Sequence, residues 1–184
     1  MKRLKTAYPF GVFSALILLL ACQPTTGNLD YYPELKNRFI QFSSNDLTPI
    51  NTEKDPDYFR GNQSPIVLIV LKGKCENCHL ELNQWQAIIT ENQWEDQANF
   101  MVIIEEEISY LLEHEIKSGA KFSVPIYHDV DGSFIANNFL KPLVYERAAI
   151  LNSNRTVRFV GSPLLKPHLK DQFLKSAGLK QSYF

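Results

Sequence analysis

The pattern of hydrophobic and polar positions changes character along the 184-residue chain. Residues 10–20 form one apolar block, broken only by Gly11 and Ser14. Residues 23–62 are largely polar, with scattered apolar positions (Leu35, Phe39, Ile40, Phe42) between the turn formers Asn45, Pro49, Asp55 and Pro56. That stretch is consistent with a short helix or an edge strand and little else. From Pro65 onward, short apolar blocks alternate with amphipathic stretches. Residues 66–71 are continuously apolar and rich in β-branched side chains, as in a strand buried on both faces. After the turn Lys72, Gly73, Lys74, the positions Leu80, Leu82, Trp85, Ile88 and Ile89 recur at helical spacing and predict one apolar face. Residues 100–104 predict a second buried strand, and 108–118 a second helix with Gly119 at its end. Residues 124–127 predict a short strand, 129–132 a turn and 133–139 a helix. Residues 148–151 and 156–160 predict two strands joined by a turn over 152–155. Residues 169–177 predict a closing helix stopped by Gly178.

Strands alternating with helices imply a largely parallel sheet, to which the late hairpin adds antiparallel strands. The expectation is therefore an α/β domain over 65–184, with a central mixed sheet flanked by helices. It follows an N-terminal extension over 33–64 and a small, polar tether over 22–32. No internal repeat is visible.

The first 21 residues are set apart from the fold. Lys2, Arg3 and Lys5 give a basic start, and the apolar block after it is shorter than the roughly 20 residues a membrane-spanning helix needs. It ends in Leu19, Leu20, Ala21, Cys22, which resembles a bacterial lipobox. That resemblance implies cleavage before Cys22, lipidation of its thiol and anchoring in a bacterial envelope membrane, on the periplasmic or outer surface. Several acyl chains would hold the protein firmly, at roughly 0.8 kcal/mol per buried CH₂. Removal of residues 1–21 would leave 163 residues and, with three basic and no acidic residues lost, a net charge of −4. This length suits one domain with a real core, and no basic patch points to nucleic acid.

Of the three cysteines, Cys22 is taken by the lipobox, which leaves Cys75 and Cys78. A disulfide between them closes too small a loop to restrain an unfolded chain appreciably, so redox or metal chemistry is favoured over a structural staple. The pair falls where a buried strand hands over to a helix. The amide N–H groups and dipole of a helix start stabilise an anion, and a thiolate there is a usable nucleophile at neutral pH. Cys75 is accordingly the candidate nucleophile, and Cys78, one turn further in, the resolving thiol. Two neighbours act in opposite senses: Glu76 opposes thiolate formation and Lys74 favours it. A carboxylate in this loop argues against a strongly oxidising pair.

The order of strand, Cys-x-x-Cys, helix, strand, helix, then strand, Asp-Gly turn, helix and final hairpin resembles the TlpA/ResA-like thioredoxin proteins. The similarity extends over roughly 65–178, with residues 66–85 and 149–157 carrying most of it. The resemblance implies a thioredoxin-like fold and a membrane-tethered thiol-disulfide oxidoreductase. Its partners would be thiols and disulfides of envelope proteins, and its only redox group the disulfide itself, with no bound cofactor or metal. Two departures stand out. Family members carry Trp where this chain has Lys74, and a cis-proline before the late strand where it has Tyr145, Glu146 and Arg147. Pro142 falls a few residues early. Pro125 resembles the Val-Pro element of shorter thioredoxins, but using it would leave a long C-terminal extension.

Rival readings use the same residues. With His79 the motif becomes Cys-x-x-Cys-His, the c-type haem attachment pattern, although Met101 lies in a buried strand and His114, His128 and His168 have no supporting motif. On the thioredoxin reading, His79 is a first-turn residue that tunes the thiols. Cys75, Cys78 and His128 make a possible Cu(I) set. Without the tryptophan and cis-proline, the domain could instead be a non-catalytic binding or assembly module. The run Glu105, Glu106, Glu107 reads as a solvated strand end.

Overall fold

The computed structural model describes residues 27–59, 63–118 and 122–180. The apolar block 10–20, Cys22, Gly119 and Asn62 lie outside the described residues.

The described residues form a six-stranded mixed sheet. Its strands are β1 (Thr48–Pro49), β2 (Ile66–Lys72), β3 (Asn99–Glu105), β4 (Ile126–Asp129), β5 (Ala148–Leu151) and β6 (Val157–Val160). They lie side by side in the order β1-β4-β3-β2-β5-β6. β2, β3 and β4 are parallel, while β1, β5 and β6 pair antiparallel with their neighbours. The uninterrupted apolar run of β2 is explained by its place: it has a neighbour on each edge and a packed layer on each face. Five α-helices accompany the sheet among the described residues: α1 (Cys78–Glu91), α2 (Tyr110–Lys117), α3 (Ser133–Asn137), α4 (Leu143–Glu146) and α5 (Lys170–Ala177).

Alternation along β2 divides the core. Val67, Ile69 and Leu71 point into a layer formed with Leu82, Trp85 and Ile89 of α1, Leu112 and Ile116 of α2, and Phe173 and Leu174 of α5. Ile66, Leu68 and Val70 point the other way, against Phe134 of α3, Leu143 of α4, and Leu35, Ile40, Phe42 and Phe59 of the N-terminal extension.

Several expectations are corrected. The buried face of α1 is Cys78, Leu82, Trp85 and Ile89, and Leu80 is exposed, because the helix starts at Cys78 and its inward stripe is set from there. The stretch expected to be a tether is packed from Leu29 onward: residues 27–31 form a 3-10 turn, Leu29 is buried, and Tyr32 is bonded to Glu146. The extension supplies β1 and a bridge from Phe39 to Thr156. Asp129, read as the first residue of a turn, is the last residue of β4 and is fully buried. Its carboxylate accepts from the Phe134 and Ile135 amides and so caps α3, which follows the left-handed turn residue Gly132. The short helix α4 has no counterpart in the sequence pattern.

Candidate active site

β2 ends at Lys72, and the chain reverses through Gly73 and Lys74 into the disulfide and α1. Gly73 fixes this turn. Its N–H donates to the Glu105 carbonyl (2.8 Å) and its carbonyl accepts from Ser109 N–H (2.7 Å). A Cβ at this position would stand 2.7 Å from the Glu107 carbonyl carbon and 2.9 Å from the Glu105 oxygen. Only glycine lets the disulfide loop lie this close to the loop after β3. The Lys72 carbonyl then accepts from Cys75 N–H, and the Cys75 carbonyl from Cys78 N–H (3.2 Å each).

Cys75 and Cys78 are joined in a disulfide with their Cα atoms 5.3 Å apart. Cys75 is half-buried, whereas Cys78 is fully buried in the helical layer. Asn77, at the N-cap of α1, offers no side-chain bond to the helix start, and the disulfide includes Cys78, the first helical residue, so it sits at the positive end of the helix. The Lys74 ammonium lies 3.1 Å from Glu107, and both side chains are well exposed, so this pair adds little stability. Glu76 is exposed. His79 is half-buried in the first turn, and its Nδ1 makes no hydrogen bond among the described residues.

Three residues the sequence pattern passed over complete the surroundings. Glu81, one turn beyond Cys78 on the same side of α1, lies 3.8 Å from the Arg147 guanidinium, with the side chains only 13% and 15% exposed. Burial pushes the Glu81 carboxyl above the usual carboxylate range. Arg147 pulls it back, as does the nearby Trp85 indole, whose N–H falls short of hydrogen-bond geometry. The spacing from Cys78 was a readable signal for Glu81; Arg147 had none, because its place depends on how β5 pairs with β2. Third, Tyr145 is exposed, with Lys72 Nζ 4.8 Å above its ring.

The segment carrying Tyr145 and Arg147 is α4 and its left-handed terminus, Arg147 (φ 66°). The Tyr145 and Glu146 amides donate to the Pro142 carbonyl, Arg147 N–H donates to Leu143 O, and Arg147 O accepts from Val70 N–H. No cis peptide bond occurs among the described residues. Next to Arg147, the buried Glu146 accepts from Tyr32 Oη, just ahead of the N-terminal extension, and from Lys166 Nζ (2.6 Å). Burial and Glu146 together push the Tyr32 phenol up to about 12.

No protein-family profile and no curated protein matches the chain by sequence. Solved structures do match. A thioredoxin-like protein in its oxidized form aligns at a TM-score of 0.56 and 14% identity, over 78% of this chain and 99% of its own. The fold is thioredoxin-like. A candidate thiol-disulfide oxidoreductase from Bacteroides vulgatus aligns at 0.55 and 12% identity, over 78% and 96% of the two chains. A thioredoxin-like protein from Porphyromonas gingivalis aligns at 0.50 and 15%, over 80% and 97%.

Within this thioredoxin-like frame, Lys74, Cys75 and Glu76 lie on the turn from β2 to α1, and Cys78 and His79 are the first two residues of α1. The late hairpin is β5–β6, preceded by Arg147, while Pro125 precedes β4. Met101 is fully buried in the layer across the sheet from Cys78, where it cannot ligate a haem attached at the motif. Among the described residues, Cys75, Cys78 and His128 do not come together as a three-ligand group, and His128 Nε2 lies 2.6 Å from the Glu106 carbonyl. Among those residues, too, no helix is long and apolar enough to cross a membrane.

Proposed function

We propose that this protein is a lipid-anchored thiol-disulfide oxidoreductase of a bacterial envelope, acting as reductant or isomerase on disulfides of envelope proteins. The observation that carries the reading is the asymmetry of the pair at the start of α1: Cys75 is partly accessible and Cys78 is sealed beneath it. In the reduced protein, the Cys75 thiolate attacks a substrate disulfide. A mixed disulfide forms, and one substrate sulfur leaves as a thiolate that takes up a proton. Cys78, deprotonated, then attacks Sγ of Cys75 and releases the second substrate thiolate. Two electrons pass from the protein dithiol to the substrate, and a partner dithiol must restore the reduced pair. The disulfide is the redox group, so the chemistry calls for no cofactor or metal. Lipidation at Cys22 would keep the domain at the membrane surface.

The test is the reduction potential of the full chain, together with trapping by single variants. A reversible potential between roughly −270 and −120 mV, with Cys78→Ser accumulating mixed disulfides through Cys75 and Cys75→Ser inactive, is the expected result. A Cys75→Ser protein that retains exchange activity would refute the assignment.

A second reading, an envelope binding module without catalysis, is favoured by the α4–β5 segment. The Tyr145, Glu146 and Arg147 N–H groups are taken up within α4 and the Arg147 carbonyl by Val70, so they offer a substrate backbone little to pair with. Inert thiols in the same experiment would select it.

A further inference from the structure

Two phenylalanines stand exposed at the edge of the sheet, each under a guanidinium. Phe39 is 50% and Phe139 59% exposed. Arg155 lies 4.6 Å above the Phe39 ring and Arg38 4.3 Å above the Phe139 ring, so the four side chains form one row through the consecutive residues Arg38 and Phe39. Main-chain bonds fix the row. Phe39 bridges Thr156, Ile40 N–H donates to the Arg155 carbonyl, and Val157 N–H donates to the Arg38 carbonyl. The buried Asn138 amide accepts from Gln41 N–H (2.7 Å) and donates to Gln41 O (3.0 Å), which ties Phe139 to the extension. Phe139 itself is left-handed (φ 58°), a conformation that a bulky side chain adopts at a cost. Burying that ring would stabilise the domain; the fold instead holds it in water. Lys36 and Lys141, exposed and each two residues from a member of the row, bring its cations to four. Of the acids beside it, Asp57 pairs with Arg155 (3.7 Å), and Glu34 lends its main-chain carbonyl to Arg38. The patch is positive on a chain that carries −4 once residues 1–21 are removed.

Where the chain enters the fold indicates what covers this patch. Only four residues, 23–26, separate Cys22 from the 3-10 turn 27–31, so an anchor at Cys22 lies within about 17 Å of Gly27. That turn packs against β6, and Phe39 lies along the same outer edge of the sheet. We infer that Phe39 and Phe139, flanked by Lys36, Arg38, Lys141 and Arg155, seat the β6 edge of the domain on anionic headgroups of the bilayer that holds the anchor. This rests on lipidation of Cys22, put forward above. Aromatic rings enter the headgroup boundary while Lys and Arg side chains reach the phosphates. The anchor already keeps the membrane close, so these contacts have only to orient the domain, and weak ones suffice. Val157 pairs with Leu151 and Leu151 with Ile66, the first residue of β2, whereas the disulfide follows the last residue of that strand, about 20 Å further along. Docking through the row leaves the disulfide end uncovered for protein partners.

The experiment reads tryptophan fluorescence of the lipidated chain in vesicles of phosphatidylglycerol and phosphatidylethanolamine with brominated acyl chains, which quench an indole at the headgroup boundary. Phe39→Trp and Phe139→Trp place the probe in the row. Tyr110→Trp places it on α2, beside the opposite edge strand β1. Trp85 and Trp94 are buried and give a constant background. Quenching is expected for both row probes and not for the third. Lys36→Glu/Lys141→Glu, added to Phe39→Trp, is expected to lower the ratio of docked to undocked protein by roughly tenfold or more, and brominated phosphatidylcholine vesicles should do the same. Equal quenching at all three positions, or row quenching indifferent to charge, overturns the inference while the anchor stands. An unquenched row overturns it too, and capture of a photo-reactive residue 39 by a protein in whole envelopes then assigns the patch to a protein partner. A chain whose Cys22 carries no acyl group by mass spectrometry takes down the anchoring reading and the inference together.

Discussion

On one face of the sheet, Val67, Ile69 and Leu71 meet three helices; on the other, Ile66, Leu68 and Val70 of the same strand meet two short helices and the N-terminal extension. The helical side carries the disulfide, with Cys78 as the first residue of α1 and part of that core. The other side is closed by 3-10 turns and by the stacked rings of Phe42 and Phe134. Under the proposed function, the difference follows from what each side has to do. A thiol that depends on a helix start for its reactivity needs a helix of fixed direction, and α1 is clamped by Trp85 against Phe173 of α5. The opposite side has only to exclude water, which irregular chain does well if its apolar side chains fill the space. The two sides meet at the end of α4, where Glu146 bonds to Tyr32, just ahead of the extension, and Arg147 pairs with Glu81 of α1.

This contrast can be broken from either side. Trp85→Ala opens a cavity under α1 and is expected to cost about 3–5 kcal/mol in urea unfolding. It should also shift the reduction potential of the Cys75–Cys78 pair; an unchanged potential would show that the disulfide does not depend on how α1 is packed. Leu35→Ala, on the other side, is expected to cost about 2–4 kcal/mol and to leave the potential where it was. A shift there would mean that the two layers are coupled more tightly than their separate cores suggest. Gly73→Ala drives a Cβ into main-chain carbonyls that cannot step aside alone, for about 1–3 kcal/mol. Its larger signature should be a changed potential and a slower exchange rate, measured with a glutathione couple.

The smallest effect concerns pH. Burial raises the Glu81 carboxyl, so the folded chain binds a proton that the unfolded chain has already released. In that window, above the usual carboxylate value of about 4.3, stability falls as pH rises through the raised value, because the unfolded state holds fewer protons than the folded one. Glu81→Gln removes this component, and the slope of unfolding free energy against pH should flatten there. Buried Asp129 and half-buried Glu105, raised in the same sense, keep part of the slope. A slope identical to wild type would place the Glu81 proton affinity at its ordinary value.

The sequence by itself determined the order of strands and helices from Pro65 onward apart from α4, the late hairpin, and the place of Cys75 and Cys78 where β2 hands over to α1. Each of these is written in local periodicity: a double-faced strand must be continuously apolar, an amphipathic helix must repeat near 3.6 residues, and a glycine such as Gly178 marks where a helix stops. Tertiary structure alone decided that Leu80 faces outward, that Leu29 and Tyr32 are packed, that Asp129 is a buried cap, and that Arg147 reaches Glu81. These four share one physical cause. Each depends on a partner distant in the chain or on the phase in which an element meets the sheet. Residues 81 and 147 are brought together only by the pairing of β5 against β2, and no local pattern at either position encodes that meeting.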